Sequence, residues 1–431
     1  MTIDKVPLGW KLTTLDGIAQ KGGRGLVDGP FGSNLPASSY VPSGIPVIRG
    51  SNLSLGEMRF RDDDFVFVSE EMARRLERSL CGPDDIVFTK KGTLGQIGLV
   101  PRSHKYSKFL LSSNQMKLSV DRELAEPVYT FYYLASPISR DKIIQDSEAT
   151  GVPKTNLAYL RNFPILLPPL FEQRAIAHIL GTLDDKIELN RRMNETLEAM
   201  ARAIFKSWFV DFDPVRTKSE GRQPFGMNAE TSALFPNSFQ DSPLGKIPKG
   251  WKCLKLEEVI ELAYGNALKA EKRHEGNIPV YGSNGQIGWH NEALVQGPGI
   301  VVGRKGNPGV VTWVDSSFFP IDTTFYVVPK ATPSSVRYLY HCLSRLDLPS
   351  QGADSAVPGL NRNIAYMSDV LVPFPATVRA FDSWCTPLMA RVHSNKEESR
   401  TLSSIRDALL PKLISGKIRV KDAEKFLEKA L

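Results

Sequence analysis

Apolar residues recur at alternating steps of three and four along two stretches of the chain, and this spacing predicts two long helices. No proline interrupts the first stretch between Pro169 and Pro214. Its repeating positions are Leu180, Leu183, Ile187, Asn190, Asn194, Leu197, Ala201, Ile204 and Trp208. The same spacing returns 205 positions later at Cys385, Leu388, Val392, Asn395, Ser399, Leu402, Arg406, Leu409 and Leu413. This is the heptad seam of helices that pair along one face.

Polar residues interrupt both seams at the same point. They are Asn190 and Asn194 in the first stretch, and Asn395 and Ser399 in the second. A polar layer within a seam fixes the register of two helices at some cost in stability. We therefore expect the two helices to pair with each other, in a parallel or an antiparallel sense, because the polar layers meet either way. The alternative is that each helix packs only on its own domain.

The regions that precede the two helices share an ordered set of landmarks. Pro7-Leu8-Gly9-Trp10 returns as Pro248-Lys249-Gly250-Trp251, Ile45-Pro46-Val47 as Ile278-Pro279-Val280, and Val152-Pro153 with Asn156 as Val357-Pro358 with Asn361. A period near 200 residues is too long for a solenoid or a propeller. The offset falls from 241 to 205 along the bodies and then stays at 205 through the helices. Two domains of one design, with variable bodies and constant helical tails, account for this pattern.

Short apolar runs between glycine turns, such as residues 85–88 and 299–302, indicate mixed α/β bodies. Prolines and glycines accumulate between residues 213 and 249, which predicts a linker. The predicted order is a first domain at 1–168, a central spacer helix at 169–212, a linker at 213–247, a second domain at 248–375, a second spacer helix at 376–416 and a C-terminal tail at 417–431. The predicted fold class is α/β (mixed α+β), with two repeated globular domains and two long helices.

Composition narrows the choice of partner and compartment. Lys and Arg exceed Asp and Glu by 54 to 47, and the isoelectric point near 9.0 makes a polyanion a reasonable partner. The four cysteines form no C-x-x-C pair, which argues against a zinc site or a disulfide framework. Apolar runs fall short of the ~20 residues of a membrane-spanning helix. Since the first residues also lack the apolar core of a signal peptide, we expect a cytoplasmic protein.

Each body carries a basic, glycine-containing loop after a short strand. Lys90-Lys91-Gly92-Thr93 is matched by Arg304-Lys305-Gly306-Asn307. Cations beside a small, flexible backbone suit an approach to phosphates. A solvated hairpin with charged flanks is the alternative for either loop taken alone, and its repetition in both bodies favours a role in binding.

A search for catalytic chemistry finds no familiar arrangement. The six histidines form no H-E-x-x-H pair, and the chain contains neither a P-loop nor a G-x-S-x-G elbow. The acidic clusters at residues 62–64, 84–85 and 184–185 have no repeated counterparts and suit turns or helix starts. We interpret the chain as a binding protein without catalytic or metal-ligating residues, with a nuclease or methyltransferase of unfamiliar motifs as an alternative.

Several of these segments together resemble the specificity subunit of type I restriction-modification systems. In the bodies they are the two P-x-G-W openings, Gly29-Pro30-Phe31-Gly32-Ser33-Asn34, and the paired K-G-x-x-G loops at residues 91–95 and 305–309. In and around the helices they are Leu167-Pro168-Pro169 through Glu172-Gln173-Arg174 into Leu183-Asp184-Asp185-Lys186-Ile187, residues 208–215 and residues 409–418. The resemblance implies that each body is a target recognition domain that reads one half of a bipartite, asymmetric DNA site. It further implies that the two helices form an antiparallel coiled coil with pseudo-twofold symmetry.

The resemblance also implies partners and site residues. Two modification subunits would supply S-adenosylmethionine-dependent methylation, and restriction subunits would use ATP and magnesium, so that no cofactor is expected on this chain. The candidate DNA-binding residues are Arg49, Ser51, Asn52, Lys90, Lys91, Thr93, Ser283, Asn284, Arg304, Lys305 and Asn307. The candidate residues for helix pairing and partner docking are Phe171, Arg174, Ile176, Leu183, Ile187, Asn190, Asn194, Leu197, Trp208, Leu388, Val392, Asn395, Leu402 and Leu409. A non-DNA protein-interaction scaffold with two similar domains remains the alternative function.

Overall fold

The computed structural model of the protein describes residues 6–147, 153–330, 335–351 and 359–423. The chain divides into a first unit, residues 1–190 together with 397–431, and a second unit, residues 191–396. The repeated landmarks at Val152, Val357 and Pro358 lie outside the described residues, as does the end of the predicted tail from residue 424.

The first unit combines three sheets with short helices and parts of two long ones. Its helices are α1 (Leu15–Ile18), α2 (Glu70–Arg75), α3 (Pro127–Ala135), α4 (Pro137–Gln145), α5 (Leu157–Asn162) and the first half of α6 (Leu170–Phe209). Its strands are β1 (Lys11–Thr14), β2 (Leu26–Asp28), β3 (Tyr40–Val41), β4 (Ile45–Ile48), β5 (Val66–Val68), β6 (Leu80–Cys81), β7 (Ile86–Thr89), β8 (Ile97–Leu99), β9 (Phe109–Leu111), β10 (Gln115–Leu118) and β11 (Pro164–Leu167).

The second unit has the same composition of elements. Its helices are α7 (Asp213–Ser219), α8 (Ala229–Ala233), α9 (Leu256–Val259), α10 (Val336–Leu343), α11 (Arg362–Tyr366) and α12 (Pro375–Ile414), whose second half belongs to the first unit. Its strands are β12 (Phe239–Ser242), β13 (Gly245–Pro248), β14 (Lys252–Lys255), β15 (Ile260–Tyr264), β16 (Ile278–Gly282), β17 (Gly285–His290), β18 (Gly299–Gly303), β19 (Val311–Val314), β20 (Phe319–Pro320), β21 (Thr324–Pro329) and β22 (Asp369–Val372).

Sheet topology confirms the internal repeat and the mixed α/β class. The order β2-β10-β7-β8 in the first unit is matched by β15-β21-β18-β19 in the second, and the pair β1-β11 is matched by β14-β22. A parallel pair lies in a third sheet of each unit, β4 with β9 in β3-β5-β4-β9-β6 and β16 with β20 in β17-β16-β20, and the second unit adds the pair β12-β13. The first unit places α2 and β6 between β5 and β7, whereas a short connection joins β17 to β18. This insertion is one of the places where the body of the first unit is longer than that of the second.

The repeated P-x-G-W landmark is a turn that anchors a core tryptophan. The backbone N–H groups of Trp10 and Trp251 donate to the carbonyls of Pro7 and Pro248 at 3.0 and 3.1 Å. The intervening glycines have φ of 83° and 84°, a left-handed conformation that glycine adopts without steric cost. Both tryptophans are buried in the core of their unit. The motif therefore recurs for a structural reason.

The two long helices pair antiparallel in each unit. In the first unit Asp184 faces Arg406 and Asn190 faces Ser399. Residue numbers therefore increase along α6 as they decrease along α12. In the second unit Asn194 faces Asn395, and farther along α6 the ring of Trp208 contacts Phe381. This confirms the predicted pairing and selects the antiparallel sense. In the part of the chain that the structure describes, no helix is long and apolar enough to cross a membrane.

The segment at residues 213–247, predicted as a linker, is instead folded into the second unit. It contains α7, α8, β12 and most of β13, and its residues Val215, Phe235 and Ile247 are buried in the core. Pro214 stands at the start of α7, where a proline costs no hydrogen bond, and Gly245 begins β13 with a φ of 85°. The prolines and glycines here begin and turn elements, which composition alone does not distinguish from a linker.

Candidate nucleic-acid interface

Two loops of the first unit meet at the ends of β4 and β7 and enclose a polar cleft of about 520 Å³. One loop carries Arg49 and Ser51, and the other carries Lys91 and Thr93, so the structure brings four of the predicted DNA-binding residues together. Reciprocal backbone hydrogen bonds between Ser54 and Ile97, at 2.9 and 3.2 Å, tie the two loops to each other. The residues that line the cleft are Tyr40, Arg49, Gly50, Ser51, Thr89, Lys91, Thr93, Gln96, Ser112, Ser113, Asn114 and Gln115.

The cleft is lined by hydroxyl and amide groups, with two cations. Arg49 donates through Nη2 to the backbone O and the Oδ2 of Asp64 at 2.7 and 3.1 Å, while its Nε is buried without a hydrogen-bond partner. Lys91 is exposed. Neutral hydrogen-bonding groups flanked by cations suit a surface that contacts both base edges and phosphates.

The second unit presents the corresponding loops after β16 and β18. Asn307 Nδ2 donates to Asn284 Oδ1 at 2.7 Å, which joins the two loops. Ser283 Oγ lies 3.2 Å from the position that a Cβ atom on Gly306 would occupy. Lys305, Asn284 and Asn307 are exposed. This unit therefore also brings predicted DNA-binding residues together, with Asn307 at the position where the first unit has Thr93.

The two basic loops are anchored in the same way. The N–H of Thr155 donates to the carbonyl of Lys90 at 2.9 Å, and the N–H of Leu360 donates to that of Arg304 at the same distance. Gly92 and Gly306 have φ of 111° and 85°, so each loop turns where a side chain would be strained. The K-G-x-x-G motif therefore folds into the same loop twice and presents Lys91 and Lys305 at equivalent positions.

Three of the predicted DNA-binding residues have structural roles. Asn52 is fully buried, and its Nδ2 donates to the carbonyls of Arg61 and Asp63 at 3.3 and 2.8 Å, so it is unavailable to DNA. Lys90 pairs with Asp28 at 3.1 Å. Arg304 lies 4.8 Å from the ring centroid of Tyr264 and donates to the carbonyl of Asp322 at 2.9 Å. The type and position of these residues suggested an interface, but their partners lie between 9 and 62 positions away, where no local pattern indicates them.

Eight of the twelve residues that line the cleft were not among the predicted DNA-binding residues. Ser112, Ser113, Asn114 and Gln115 form a polar run between the apolar strands β9 and β10, and this run was a usable signal. The second unit carries a shorter polar run, Asp322, Thr323 and Thr324, at the corresponding place before and at the start of β21. Tyr40, Thr89 and Gln96 join the cleft only through folding, since no local pattern distinguishes them.

The predicted seam residues of the long helices are all buried or half-buried. Asn190, fully buried, donates to Glu398 Oε2 at 2.8 Å and to Ser399 Oγ at 3.3 Å, and Asn395, equally buried, donates to Asn194 Oδ1 at 2.8 Å. The apolar positions are Leu183, Val392, Leu402 and Leu409, which are buried, and Ile187, Leu197 and Leu388, which are half-buried. The amide nitrogens of Asn190 and Asn395 thus each donate to the facing helix within their own unit.

The four residues suggested for docking of partner subunits divide into two classes. Phe171 is 75% exposed, and Arg174 is exposed as well. Ile176 and Trp208 are only 1% and 6% exposed, because they pack in the cores of the first and second units. Their side chains therefore stabilise their own units and cannot form a docking surface.

Comparisons with known proteins show which family this chain resembles in sequence and which solved structure shares its fold. The family described as the type I restriction modification DNA specificity domain matches residues 35–199 and 248–375. The chain is 24% identical over 404 residues to the type I restriction enzyme HindI specificity subunit of Haemophilus influenzae, which covers 76% of this chain and 87% of the relative. It is 22% identical to the MjaIX specificity subunit of Methanocaldococcus jannaschii, with 97% and 96% covered. The S subunit of a type I restriction-modification system from M. genitalium superposes with a TM-score of 0.57 at 19% identity, over 95% and 96% of the two chains, and thus shares the fold.

Proposed function

The chain belongs to the type I restriction modification DNA specificity family, and on that premise we propose that it reads a bipartite, asymmetric DNA site with one unit for each half-site. One observation carries the proposal. Both units fold the K-G-x-x-G motif into the same loop, and each loop presents an exposed lysine beside polar residues at a strand end. Because the polar residues differ between the units, the two half-sites would differ in sequence.

Within each unit, cations and neutral groups would divide the contacts with DNA. Lys91 and Lys305 would position the units on phosphates, which carry no sequence information. Ser51, Thr93 and the amides of the cleft in the first unit, and Ser283, Asn284 and Asn307 in the second, would read base edges in the major groove. Arg49 can join either class, because its side chain is 34% exposed and a guanidinium donates to phosphates as well as to base edges.

We further propose that the chain assembles the catalytic subunits rather than performing chemistry. Two modification subunits and the restriction subunits would bind it, with Phe171 and Arg174 as candidate contacts because both are exposed on the first turns of α6. S-adenosylmethionine, ATP and magnesium would belong to those partners. The family relationship and the names of the relatives, which are specificity subunits, support this division.

The test is to co-express the chain with its modification subunit and to sequence the modified genomic DNA. We expect a methylated motif with two specified halves and a fixed gap, and its loss when the chain is omitted. A stable complex that modifies no DNA, or no complex at all, would favour the alternative of a protein-interaction scaffold.

Charge reversal at the paired lysines tests the phosphate contacts. Lys91→Glu and Lys305→Glu should each weaken binding of the assembled complex to every DNA sequence, and should lower the slope of log affinity against log salt by about 1. The matched controls are Lys11→Glu on β1 and Lys246→Glu on β13, since both lysines are exposed and lie outside the loops. Equal effects in the loop and control variants would mean that overall charge, and not these loops, governs the affinity.

A further inference from the structure

Two glutamine side chains of the first unit converge over Gly50 on the floor of the cleft. A methyl group placed on Gly50 would lie 3.3 Å from Oε1 of Gln96 and 4.0 Å from Nε2 of Gln115. The carbonyl oxygen of one amide and the amino group of the other therefore border the same small volume. Both residues line the cleft, and their side chains face it from β10 and from the residue before β8.

Each amide is held in place by a neighbouring hydroxyl group. Thr89 Oγ1 donates to Gln96 Oε1 at 3.1 Å, and Ser112 Oγ donates to Gln115 Oε1. Gln115 is only 2% exposed, so its orientation is fixed by packing as well, but unlike the fully buried Asn52 it lines the cleft. A carbonyl oxygen has two lone pairs and an amide nitrogen has two protons. Gln96 Oε1 thus keeps one acceptor site, and Gln115 Nε2 offers donors, above Gly50.

One acceptor beside one donor is the complement of a single base edge in the major groove. Adenine presents N7 as an acceptor and the N6 amino group as a donor, whereas guanine presents two acceptors, cytosine a donor, and thymine an acceptor with a methyl group. We propose that the first unit recognises an adenine of its half-site, with Gln115 Nε2 donating to N7 and Gln96 Oε1 accepting from the N6 amino group. The assignment deepens the proposed function and rests on it.

The second unit lacks this pair of amides. Gly303 donates its N–H to the carbonyl of Val310 at 2.8 Å, as Thr89 does to Gln96 at 3.1 Å, so Val310 takes the place of Gln96. In the same way Arg304 donates to Thr323 where Lys90 donates to Asn114, which puts Thr324 at the position of Gln115. Recognition of adenine by a pair of glutamine side chains is therefore confined to the half-site of the first unit.

Duplexes with single-atom changes test the assignment on the complex of the chain with its modification subunits. Once the motif of the unaltered chain is known, each adenine is replaced in turn by 7-deazaadenine, which lacks the N7 acceptor, or by purine, which lacks the amino group. We expect one adenine of one half-site at which both analogues weaken binding, each by up to the roughly 5- to 150-fold that a good base contact contributes. Gln115→Met should abolish the response to 7-deazaadenine, and Gln96→Met the response to purine, at that position only.

Two further variants separate base recognition from folding. Gly50→Ala keeps both glutamines but fills the volume between them, and it should remove the preference for adenine. Gln20→Met alters an exposed glutamine outside the cleft and should leave the preference intact. A motif in which no adenine responds to both analogues, or glutamine variants that respond as the unaltered chain does, would overturn this assignment alone. Absence of any motif would instead overturn the proposed function.

Discussion

Replacing Arg406 with alanine is expected to lower the free energy of unfolding of the first unit by about 3 kcal/mol, because it leaves Asp184 as a buried charge without its main partner. Arg406 Nη1 donates to Asp184 Oδ1 at 2.7 Å, and the two side chains are 8% and 9% exposed. Breaking a buried ion pair costs roughly 3–5 kcal/mol in other proteins. The pair therefore joins α12 to α6 through a buried contact that is costly to break from one side.

Neighbouring groups keep the expected loss of unfolding free energy at the lower end of the range of roughly 3–5 kcal/mol. Tyr132 donates to Asp184 Oδ2 at 2.6 Å, and burial, together with Asp184, raises the pKa of Tyr132 well above its usual value, which keeps it a donor. Arg59 Nε lies 3.9 Å from the same carboxylate. These contacts continue to stabilise the Asp184 carboxylate after Arg406 is removed.

The chain itself supplies the matched control. The positions that correspond to Asp184 and Arg406 in the second unit are Met389 and Ala201, both of which pack in or against an apolar core. The double variant Asp184→Met, Arg406→Ala copies that apolar pair and should recover most of the lost stability, because the buried charge is gone. Chemical denaturation, with hydrogen exchange of residues 176–187 to assign the transition, measures both variants. A double variant as unstable as the single one would show that the uncompensated charge is not the cause.

Lengthening both long helices by one heptad is expected to widen the unspecified gap of the recognised site by about three base pairs. Seven residues add about 10.5 Å to an α-helix at 1.5 Å per residue, and one base pair occupies about 3.4 Å of duplex. An ideal helix drifts by only about 20° per heptad, whereas three base pairs turn the duplex by about 100° at roughly 10.5 base pairs per turn, so the DNA must untwist or the complex must adjust to bind the wider site. This prediction rests on the proposed function.

The antiparallel pairing fixes where the heptads belong. One heptad goes after Arg192 in α6 and the other after Lys396 in α12, since the pairs Asn190–Ser399 and Asn194–Asn395 flank that level. These points also adjoin the boundary between the two units on each helix. The methylated motif, read by sequencing modified DNA, gives the new gap. A heptad in one helix alone shifts one seam against the other and should abolish methylation, and an unchanged gap in the double insertion would show that the helices do not set it.

Features with a local physical cause could be predicted from the sequence. The heptad spacing reflects the helical period, so the course of α6 and α12 and the burial of their seams followed from position alone. Asn156 and Asn361, matched in the two repeats, prove to be the caps of α5 and α11. The paired K-G-x-x-G loops could likewise be predicted from the conformation that glycine favours and from the repetition of the motif. Residues 213–247 were misjudged because prolines and glycines begin folded elements as readily as they form linkers.

By itself, the sequence determined the two repeats, the two paired helices, and the loops that carry Lys91 and Lys305, because each of these depends on spacing along a short stretch or on its repetition. Only the tertiary structure decided that Asn52 is buried, that Gln96 and Gln115 meet over Gly50, and that Arg406 pairs with Asp184. These relations join residues far apart in the chain. Such contacts depend on how strands and helices pack, and they cannot be predicted from the types of the two residues alone.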